Sequence, residues 1–340
     1  MGVGSWELAV GSWELLNDPV RPLDRFASLP ALAFAPLPSP LESLDRLRTE
    51  LSPRLTLLVK RDDAIGFGFG GNKVRKLRLV AAQAMADGAD TLITCGGIQS
   101  NHARATAAYA ARLGLRCILV ANGTPQRAPT GNALLAQLLG AEIRYVGTRE
   151  ERAPAMARAA AECTAGGGRP FVIPLGASTP LGAAAYALAI GELLQQRQAP
   201  DVIVHATSSG GTQAGLVAGC RLHGLATRVI GVSADDPAPQ IEAEVRRILE
   251  GLETLAGIDS GAFDDVPVEV DDRFVGSGYG QPTPGSIESQ RMAARHAALF
   301  LDNTYTAKAM AGLAERARAG EFDGATVVFW HTGGQVGLFA

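Results

Sequence analysis

The sequence predicts an α/β protein with mainly parallel sheets, divided over two domains. Short apolar segments of strand length alternate with helix-like segments through most of the 340 residues, a pattern typical of parallel strands joined by right-handed crossovers. The strand–helix units outnumber what one simple sheet usually holds, so two domains are expected. A hydrophobic content of 47% is sufficient for one large or two ordinary cores.

The elements alternate along the chain in a regular order. The predicted strands cover residues 55–60, 91–95, 116–120, 143–146, 171–174, 202–205, 228–232 and 326–330. The predicted helices cover residues 74–87, 101–113, 132–139, 153–165, 182–196, 213–223 and 307–318. Ligands of parallel α/β folds bind beyond the carboxyl ends of the strands, so the loops that follow the strands are the places to look for chemistry.

Composition and charge exclude several classes of protein. The net charge of −3 and the absence of a basic block give no reason to expect nucleic acid or a membrane surface as a partner. No metal site is expected, because neither an HExxH motif nor an acidic cluster is present. The cysteines are far apart and form no CxxC pair, which favours reduced thiols and a cytoplasmic location; they are Cys95, Cys117, Cys163 and Cys220.

The N-terminal stretch stands apart from this pattern. The segment Gly-Ser-Trp-Glu-Leu at residues 4–8 recurs at residues 11–15, and no signal-peptide cleavage pattern follows it. We interpret residues 1–25 as an extension, either disordered or produced by a misplaced start site. We attach no function to it.

The first loop of interest, residues 66–73, reads Gly-Phe-Gly-Phe-Gly-Gly-Asn-Lys. Its GxGxxG match is weak, because no acidic residue is placed for a ribose, and the Gly-Lys-Ser/Thr of a phosphate-binding P-loop is missing. Only four lysines occur, at positions 60, 73, 76 and 308, so the candidates for an amine nucleophile are few. From the loop alone, a flexible connection with a solvated Lys73 explains the pattern equally well.

Two more loops carry polar residues between a strand and a helix. Residues 95–104 read Cys-Gly-Gly-Ile-Gln-Ser-Asn-His-Ala-Arg; Ser100 or Asn101 can serve merely as a helix N-cap, but a helix N-terminus also holds anions. Residues 207–212 read Thr-Ser-Ser-Gly-Gly-Thr, which is typical either of an ordinary Ser/Gly turn or of a phosphate cradle.

Later loops contain Tyr279, Tyr305 and His331. Taken singly, each of these residues is more often a packed side chain than a catalytic group.

Taken together, these loops resemble those of one family of enzymes. Lys-Arg-Asp-Asp at 60–63, Gly-Gly-Asn-Lys-Val-Arg-Lys-Leu at 70–77 and Gln-Ser-Asn-His-Ala-Arg at 99–104 resemble the aminocyclopropane-carboxylate deaminase and D-cysteine desulfhydrase family of fold-type II pyridoxal 5′-phosphate (PLP) enzymes. The resemblance runs from about Leu37 to the end of the chain.

The resemblance implies a fold of the tryptophan synthase β type, with two three-layer αβα domains and PLP in the cleft between them. The small domain would span residues 77–181, and the large domain would combine residues 26–76 with 182–340. A homodimer and a small amino-acid substrate are the partners that the family suggests.

The resemblance also implies roles for individual residues. Lys73 would bind PLP covalently and, with Ser100, Tyr279 and Tyr305, form the catalytic group. Further cofactor contacts would come from Asn72, Asn101, Ser208, Ser209, Gly210, Gly211 and Thr212. Thr306 would approach the pyridine nitrogen, with Thr332 as the alternative. The substrate would be bound by Gln99, Ser100, Asn101 and His102.

Two positions distinguish the branches of the family. Deaminases typically have Ser-Asn-Gln and Tyr-Glu where this chain has Ser-Asn-His at 100–102 and Tyr-Thr at 305–306. The chain is therefore closer to the desulfhydrases, and the predicted reaction is β-elimination from D-cysteine to pyruvate, ammonium and sulfide. The alternatives are ring-opening of aminocyclopropane carboxylate, release of sulfite from cysteate, and a non-catalytic PLP- or nucleotide-binding protein.

Overall fold

The computed structural model describes residues 21–340. The repeated Gly-Ser-Trp-Glu-Leu segments, and residues 1–20 of the predicted extension with them, lie outside the described residues. The last part of that extension is not a disordered tail, because a helix begins at Pro22. Its Phe26 is fully buried in the core of the larger sheet.

The described residues form ten strands and eleven α-helices. The strands are β1 (Leu41–Ser43), β2 (Thr56–Arg61), β3 (Thr91–Gly97), β4 (Arg116–Asn122), β5 (Glu142–Val146), β6 (Pro170–Val172), β7 (Val202–Thr207), β8 (Arg228–Ser233), β9 (Glu269–Asp271) and β10 (Thr326–His331). The helices are α1 (Pro22–Ala27), α2 (Asp45–Leu51), α3 (Asn72–Ala86), α4 (Asn101–Leu113), α5 (Gly131–Leu138), α6 (Arg152–Ala165), α7 (Pro180–Gln196), α8 (Gly211–Leu222), α9 (Ala238–Ala256), α10 (Pro284–Ala297) and α11 (Thr306–Arg318).

The strands form two sheets. The larger has the order β1-β2-β10-β7-β8-β9 and the smaller the order β5-β4-β3-β6. Every pairing is parallel except that of β1 with β2. The predicted α/β architecture with mainly parallel sheets is thus confirmed.

Helices cover both faces of each sheet. In the larger sheet, Val328 and Trp330 of β10 face α1, α7, α8 and α9, whereas Val327 and Phe329 face α2, α10 and α11. This alternation follows from the two-residue period of a strand. In the smaller sheet, α3, α4 and α5 pack on one face and α6 on the other.

The domain boundaries stay a prediction. The four strands of the smaller sheet all lie within residues 77–181. The boundaries at 76/77 and 181/182, however, fall inside α3 and α7, two helices that pack against each other.

The predicted strands and helices are all present, with ends that differ by a few residues. The sequence prediction omitted α1, α2, α9, α10, β1 and β9. The omission of α9 is instructive, because its buried residues Ile241, Val245, Ile248, Leu249 and Leu252 follow the helical spacing that predicts an amphipathic helix. No helix among residues 21–340 combines the length and hydropathy that a membrane crossing requires.

A fully buried carboxylate connects segments that are far apart in sequence. Asp62, just after β2, accepts hydrogen bonds from Ser39 Oγ (2.9 Å), Arg75 Nε (2.8 Å), Tyr186 Oη (2.6 Å) and Trp330 Nε1 (2.8 Å). These donors lie before β1, on α3, on α7 and on β10. Asp62 therefore fixes the start of α3 relative to the larger sheet.

A second carboxylate completes the buried ionic cluster. Glu192 of α7 accepts two hydrogen bonds of 2.8 Å from Arg75 and also pairs with Lys60. Burial raises the pKa of Glu192, but the hydrogen bonds and charges of Arg75 and Lys60 outweigh it and lower this pKa to about 2. Arg75 is thus held between two carboxylates in the protein interior.

We predict that Asp62→Ala lowers the free energy of unfolding by about 3–5 kcal/mol, because it removes one of the two carboxylates beside the buried Arg75 charge and leaves Arg75 Nε and two aromatic donors without their acceptor. Urea denaturation of the variant measures the loss. The control is Asp87→Ala, which removes only an exposed hydrogen bond from Gln83 and should cost below about 1 kcal/mol. Equal losses in the two variants would contradict the assigned role of Asp62.

Candidate active site

A cavity of about 230 Å³ lies where the carboxyl ends of β3, β7 and β10 approach one another. This is the position expected for a ligand of parallel α/β sheets. Twelve of the residues singled out in the sequence line it: Asn72, Lys73, Ser100, Asn101, His102, Ser208, Ser209, Gly210, Thr212, Tyr279, Tyr305 and Thr332. Gln99, Gly211 and Thr306 are not part of its wall.

The glycine-rich loop places Lys73 in the first turn of α3. Gly71 has a φ of +96°, and a Cβ on it would lie 3.0 Å from the carbonyl oxygen of Thr332, so this close approach requires glycine. The backbone N–H of Asn72 donates to the same Thr332 oxygen (2.9 Å). Arg104 of α4 donates to the carbonyl oxygens of Gly68 and Gly70. The loop is therefore fastened to β10 and to α4.

The amine of Lys73 is adapted to act as a nucleophile. Burial lowers its pKa to about 8, so a larger fraction is neutral at physiological pH than for an exposed lysine. The interpretation of Lys73 as a solvated surface lysine is wrong for this structure.

Lys76, one turn later on α3, is a cavity residue that the sequence prediction did not assign to the site. Its Nζ donates to Gly176 O and to Ser178 Oγ, both at 3.2 Å. Burial, and then the charge of Lys73, lower its pKa. The spacing of three residues on one helix face was a signal that could have indicated it.

The N-terminus of α4 opens onto the cavity. Ser100 is the N-cap, and its Oγ accepts a hydrogen bond from the backbone N–H of Ala103 (3.2 Å), so the N-cap interpretation is confirmed for this residue. Asn101 and His102 also line the wall. The free N–H groups and the dipole of this first turn favour an anion such as a carboxylate.

Two residues predicted to bind substrate form hydrogen bonds within the protein. Gln99 does not line the cavity, and its side chain accepts a hydrogen bond from Asn132 N (2.8 Å) and donates one to Thr130 O (3.1 Å). A contact of Gln99 with the substrate stays a prediction. His102 Nε2 is 2.7 Å from Thr94 Oγ1. Burial lowers the pKa of His102, which keeps its ring neutral.

The loop after β7 forms a cradle at the start of α8. Gly210 has a φ of +72°, a conformation that favours glycine. Thr212 Oγ1 accepts a hydrogen bond from Asn72 Nδ2 (3.0 Å), and Ser209 Oγ is 2.8 Å from Ser178 Oγ. Gly211 lies behind this wall, where a Cβ would meet Ser178 and Lys76 at less than 3 Å. Gly211 therefore does not face the cavity. Its predicted contact with the cofactor stays a prediction.

The two tyrosines meet across the mouth of the cavity, with their hydroxyl oxygens 2.8 Å apart. Burial raises the pKa of Tyr305, so its phenol stays protonated at neutral pH. The loops that contain Tyr279 and Tyr305, 26 residues apart in sequence, are thus joined at one point.

The two threonine candidates for the pyridine nitrogen have different surroundings. Thr306 Oγ1 donates to Asp302 Oδ1 (2.7 Å) and accepts from Asp302 N (2.9 Å), and it is fully buried outside the cavity wall. Thr332, at the end of β10, lines the cavity. Thr332 is therefore better placed than Thr306 to face a ring in the cavity, and the contact of either threonine with the pyridine nitrogen stays a prediction.

Four further polar residues line the cavity and were not assigned to the site from sequence: Asn122, Arg149, Arg152 and Asp235. Asn122 ends β4 next to β3, so the rule that strand ends form the site could have indicated it. Arg149 and Asp235 reach the cavity from loops, and Arg152 reaches it from the first turn of α6; no recognisable sequence pattern contains these three residues.

The chemistry of the wall fits PLP. Thr207 Oγ1 is buried at the cavity and has no hydrogen-bond partner within residues 21–340, which is the situation of a group that binds a ligand oxygen. A helix N-terminus and the Ser/Gly cradle suit a phosphate. Lys73 supplies the amine that a Schiff base with PLP requires.

Comparison with known proteins agrees with this geometry. Residues 32–333 match the family model described as pyridoxal-phosphate dependent enzyme. This chain belongs to that family. The alternative interpretation as a nucleotide-binding protein is therefore excluded. The cofactor of this chain is PLP.

Similar members of the family carry two different names. A 1-aminocyclopropane-1-carboxylate deaminase of Ralstonia nicotianae is 37% identical, over 89% of this chain and 94% of the relative. A D-cysteine desulfhydrase of Klebsiella pneumoniae is 36% identical, over 94% of this chain and 98% of the relative. The solved structure of an ACC deaminase homologue has a TM-score of 0.86 at 32% identity, over 94% of this chain and 96% of that one. The fold is that of the type II PLP enzymes.

We predict that the purified protein carries PLP on Lys73, because this is the cavity amine with the more accessible position and a pKa near 8. Borohydride reduction followed by peptide mapping locates the label. The neighbouring Lys76 and the buried Lys60 and Lys308 are internal controls. A label on one of these three would contradict the assignment.

We predict that Thr207→Val lowers PLP affinity about tenfold or more, since it removes a hydroxyl that gains a charged partner only in the holoenzyme. Thermal stability of the apoprotein should be unchanged or higher. The control is Thr227→Val, whose hydroxyl donates to Pro200 O outside the cavity. PLP titration with the same affinity in both variants would place the cofactor phosphate elsewhere.

Proposed function

We propose that this enzyme catalyses β-elimination from a small amino acid, with D-cysteine as the first candidate and pyruvate, ammonium and sulfide as products. The observation that supports the proposal most is the position of Lys73. Its amine, with a pKa of about 8, shares one cavity with the N-terminus of α4. An amine base and an anion site are thereby placed together, as proton abstraction next to a carboxylate requires.

The N-terminus of α4 is suited to orient the substrate. We assign the substrate carboxylate to the first turn at Ser100 and Asn101, where backbone N–H groups without helical acceptors point at the cavity. The paired hydroxyls of Tyr279 and Tyr305 would contact the rest of the substrate and shield it from water. With the substrate placed in this way, its Cα proton would lie on the side of Lys73.

Lys73 is the first candidate for the base that takes the Cα proton. Ser100 is the second, but its Oγ already accepts a hydrogen bond from Ala103, which makes it a weaker acceptor. When bound, PLP supplies the electron sink that makes the Cα proton acidic and allows a β-substituent to leave.

Whether the enzyme acts as a desulfhydrase or as a deaminase would depend on the residue that faces the ring nitrogen of the cofactor. The relatives do not decide it, because both kinds are about equally similar. The position that typically holds Glu in the deaminases is Thr306, whose hydroxyl is bound to Asp302. A neutral Thr332 facing the ring nitrogen would leave it unprotonated and the electron sink weak. A weak sink suffices for a good β-leaving group and suits the opening of a cyclopropane less well.

The family relationship leads us to two further proposals about the state of the protein. We propose a homodimer, which sedimentation or light scattering tests. We also propose a cytoplasmic location, consistent with four cysteines that are all unpaired and buried.

We predict a higher kcat/KM for D-cysteine than for 1-aminocyclopropane-1-carboxylate, with pyruvate and 2-oxobutanoate assayed as the respective products. Thr332→Glu should shift the ratio toward the cyclopropane, because a carboxylate beside the ring nitrogen keeps it protonated. Each tenfold change in the ratio corresponds to about 1.4 kcal/mol in the barrier.

The matched variant is Thr306→Glu, which places a second carboxylate next to Asp302. It should lower stability without moving the substrate ratio. A wild-type preference for the cyclopropane, or a ratio that moves in Thr306→Glu and not in Thr332→Glu, would contradict the proposal.

A further inference from the structure

A buried ammonium group behind the cavity wall has no part in the chemistry described above. Lys308, in the first turn of α11, is fully buried, and backbone carbonyl oxygens surround its Nζ. It donates to Ala234 O (3.0 Å), Val275 O (2.8 Å) and Gly278 O (3.0 Å). Since an ammonium group has three N–H donors, each donor has one acceptor.

This environment differs from that of the buried Lys60. Lys60 is paired with the carboxylate of Glu192, whereas no carboxylate among residues 21–340 lies within ion-pair distance of Lys308. Burial lowers the pKa of Lys308, and the more distant charges of Asp235 and Asp302 oppose this effect. Burying an ammonium group without an ion-pair partner costs free energy, so the carbonyl oxygens must stabilise the charge.

The carbonyl oxygens belong to loops that carry cavity residues. Two of them come from the residues immediately before Asp235 and Tyr279, and both of these side chains line the cavity. Tyr305, which also lines it, is the N-cap of α11 and lies three residues before Lys308. One ammonium group therefore connects the three chain segments that present these side chains.

The loop that carries Tyr279 depends on such a connection. Residues 276–280 contain three glycines with φ values of +66°, +125° and +74°, and glycine leaves a chain more conformations than any other residue. Lys308 binds the carbonyl oxygen of Val275 at the start of this loop and that of Gly278 within it. These two hydrogen bonds fix the backbone on which Tyr279 is placed.

We propose that Lys308 is a positioning residue, whose ammonium group holds Tyr279 against Tyr305 and thereby shapes the substrate side of the cavity. It acts as a built-in monovalent cation, because clustered carbonyl oxygens can also bind a free ion in place of its hydration shell. Lys308 itself does not line the cavity. The inference rests on the proposed function, in which the two tyrosines contact the substrate.

The first measurement compares two variants of the PLP-loaded enzyme with D-cysteine as substrate. Lys308→Met keeps the aliphatic stem and removes the charge, and Lys308→Ala leaves a space beside the three carbonyl oxygens. In both variants kcat/KM should fall about 10- to 100-fold, as expected when groups around a substrate are misplaced by a fraction of their size. The PLP content should stay unchanged.

A monovalent cation should restore activity in Lys308→Ala alone. Potassium or ammonium chloride should raise kcat/KM several-fold and saturably, because the ion replaces the missing ammonium group. The methionine side chain of Lys308→Met fills this space, and the wild type keeps its own cation, so neither should respond. The wild type also reveals any effect of ammonium as a product. Tetramethylammonium chloride, which has no N–H donor, controls for ionic strength.

The loss of activity should be coupled to the tyrosine pair. Tyr279→Phe removes one of the two paired hydroxyl groups. Added to Lys308→Met, it should lower kcat/KM much less than it does in the wild type, since both changes disrupt the same contact. Additive losses would mean that Lys308 does not act through Tyr279, and would overturn the inference.

A second measurement follows the loops without turnover. Hydrogen–deuterium exchange should be faster in peptides covering residues 233–236 and 275–281 of both Lys308 variants, and potassium should slow it again in Lys308→Ala. Peptides from β4 are the internal control. Arg318→Met removes an exposed cation from the same helix, where it pairs with Glu288, and should change neither exchange nor activity.

The outcomes separate this inference from the proposed function. Unchanged exchange in the two loops, or faster exchange with an unchanged kcat/KM, would overturn the inference. Faster exchange throughout the protein, β4 included, or a failure of both variants to fold would mean that Lys308 serves only the fold, and would overturn it as well. No pyruvate from D-cysteine in the wild type would refute the proposed function, whereas loop exchange that potassium slows in Lys308→Ala would still establish the positioning role.

Discussion

The buried carboxylate of Asp62 is the interaction on which the geometry of this enzyme depends. It accepts hydrogen bonds from α3, α7 and β10 at once, and Arg75 on α3 links it to Glu192. Since Arg75 is two residues after Lys73, the same cluster that fastens α3 to the larger sheet also determines where the reactive amine enters the cavity. Such a network is favourable only when every member has a partner.

Close contact between backbone segments positions the glycine-rich loop, which the ionic cluster around Asp62 does not touch directly at Gly68 and Gly70. Gly71 lies against the carbonyl oxygen of Thr332, and Arg104 holds the carbonyl oxygens of the glycine-rich loop from the side of α4. The loop is therefore attached to the end of β10 in the larger sheet and to α4, which packs on the smaller sheet. Lys73 can reach a cofactor between them without a mobile connection, and its burial there lowers its pKa.

The charge balance of the cavity indicates what kind of ligand it takes. Lys73, Lys76 and Arg152 contribute positive charge, and the N-termini of α4 and α8 add their dipoles. Against these stands the carboxylate of Asp235, whose pKa burial raises and which lies next to Arg149. A cofactor phosphate and a substrate carboxylate would neutralise part of this excess.

The sequence by itself determined the alternation of strands and helices and the loops that line the cavity, among them the loop that ends in Lys73, because periodicity, glycine and strand–loop–helix order are local properties. It did not show that Gln99 and Thr306 lie outside the cavity wall, or that Lys76, Asn122 and Arg152 line it. The positions of these residues depend on partners that are supplied by the tertiary structure. Gln99 accepts a hydrogen bond from Asn132, and Thr306 donates one to Asp302. Arg152 has no carboxylate within ion-pair distance among the described residues. Hydrogen-bond partners distant in sequence decide which polar groups remain free for a ligand, and only the tertiary structure brings those partners together.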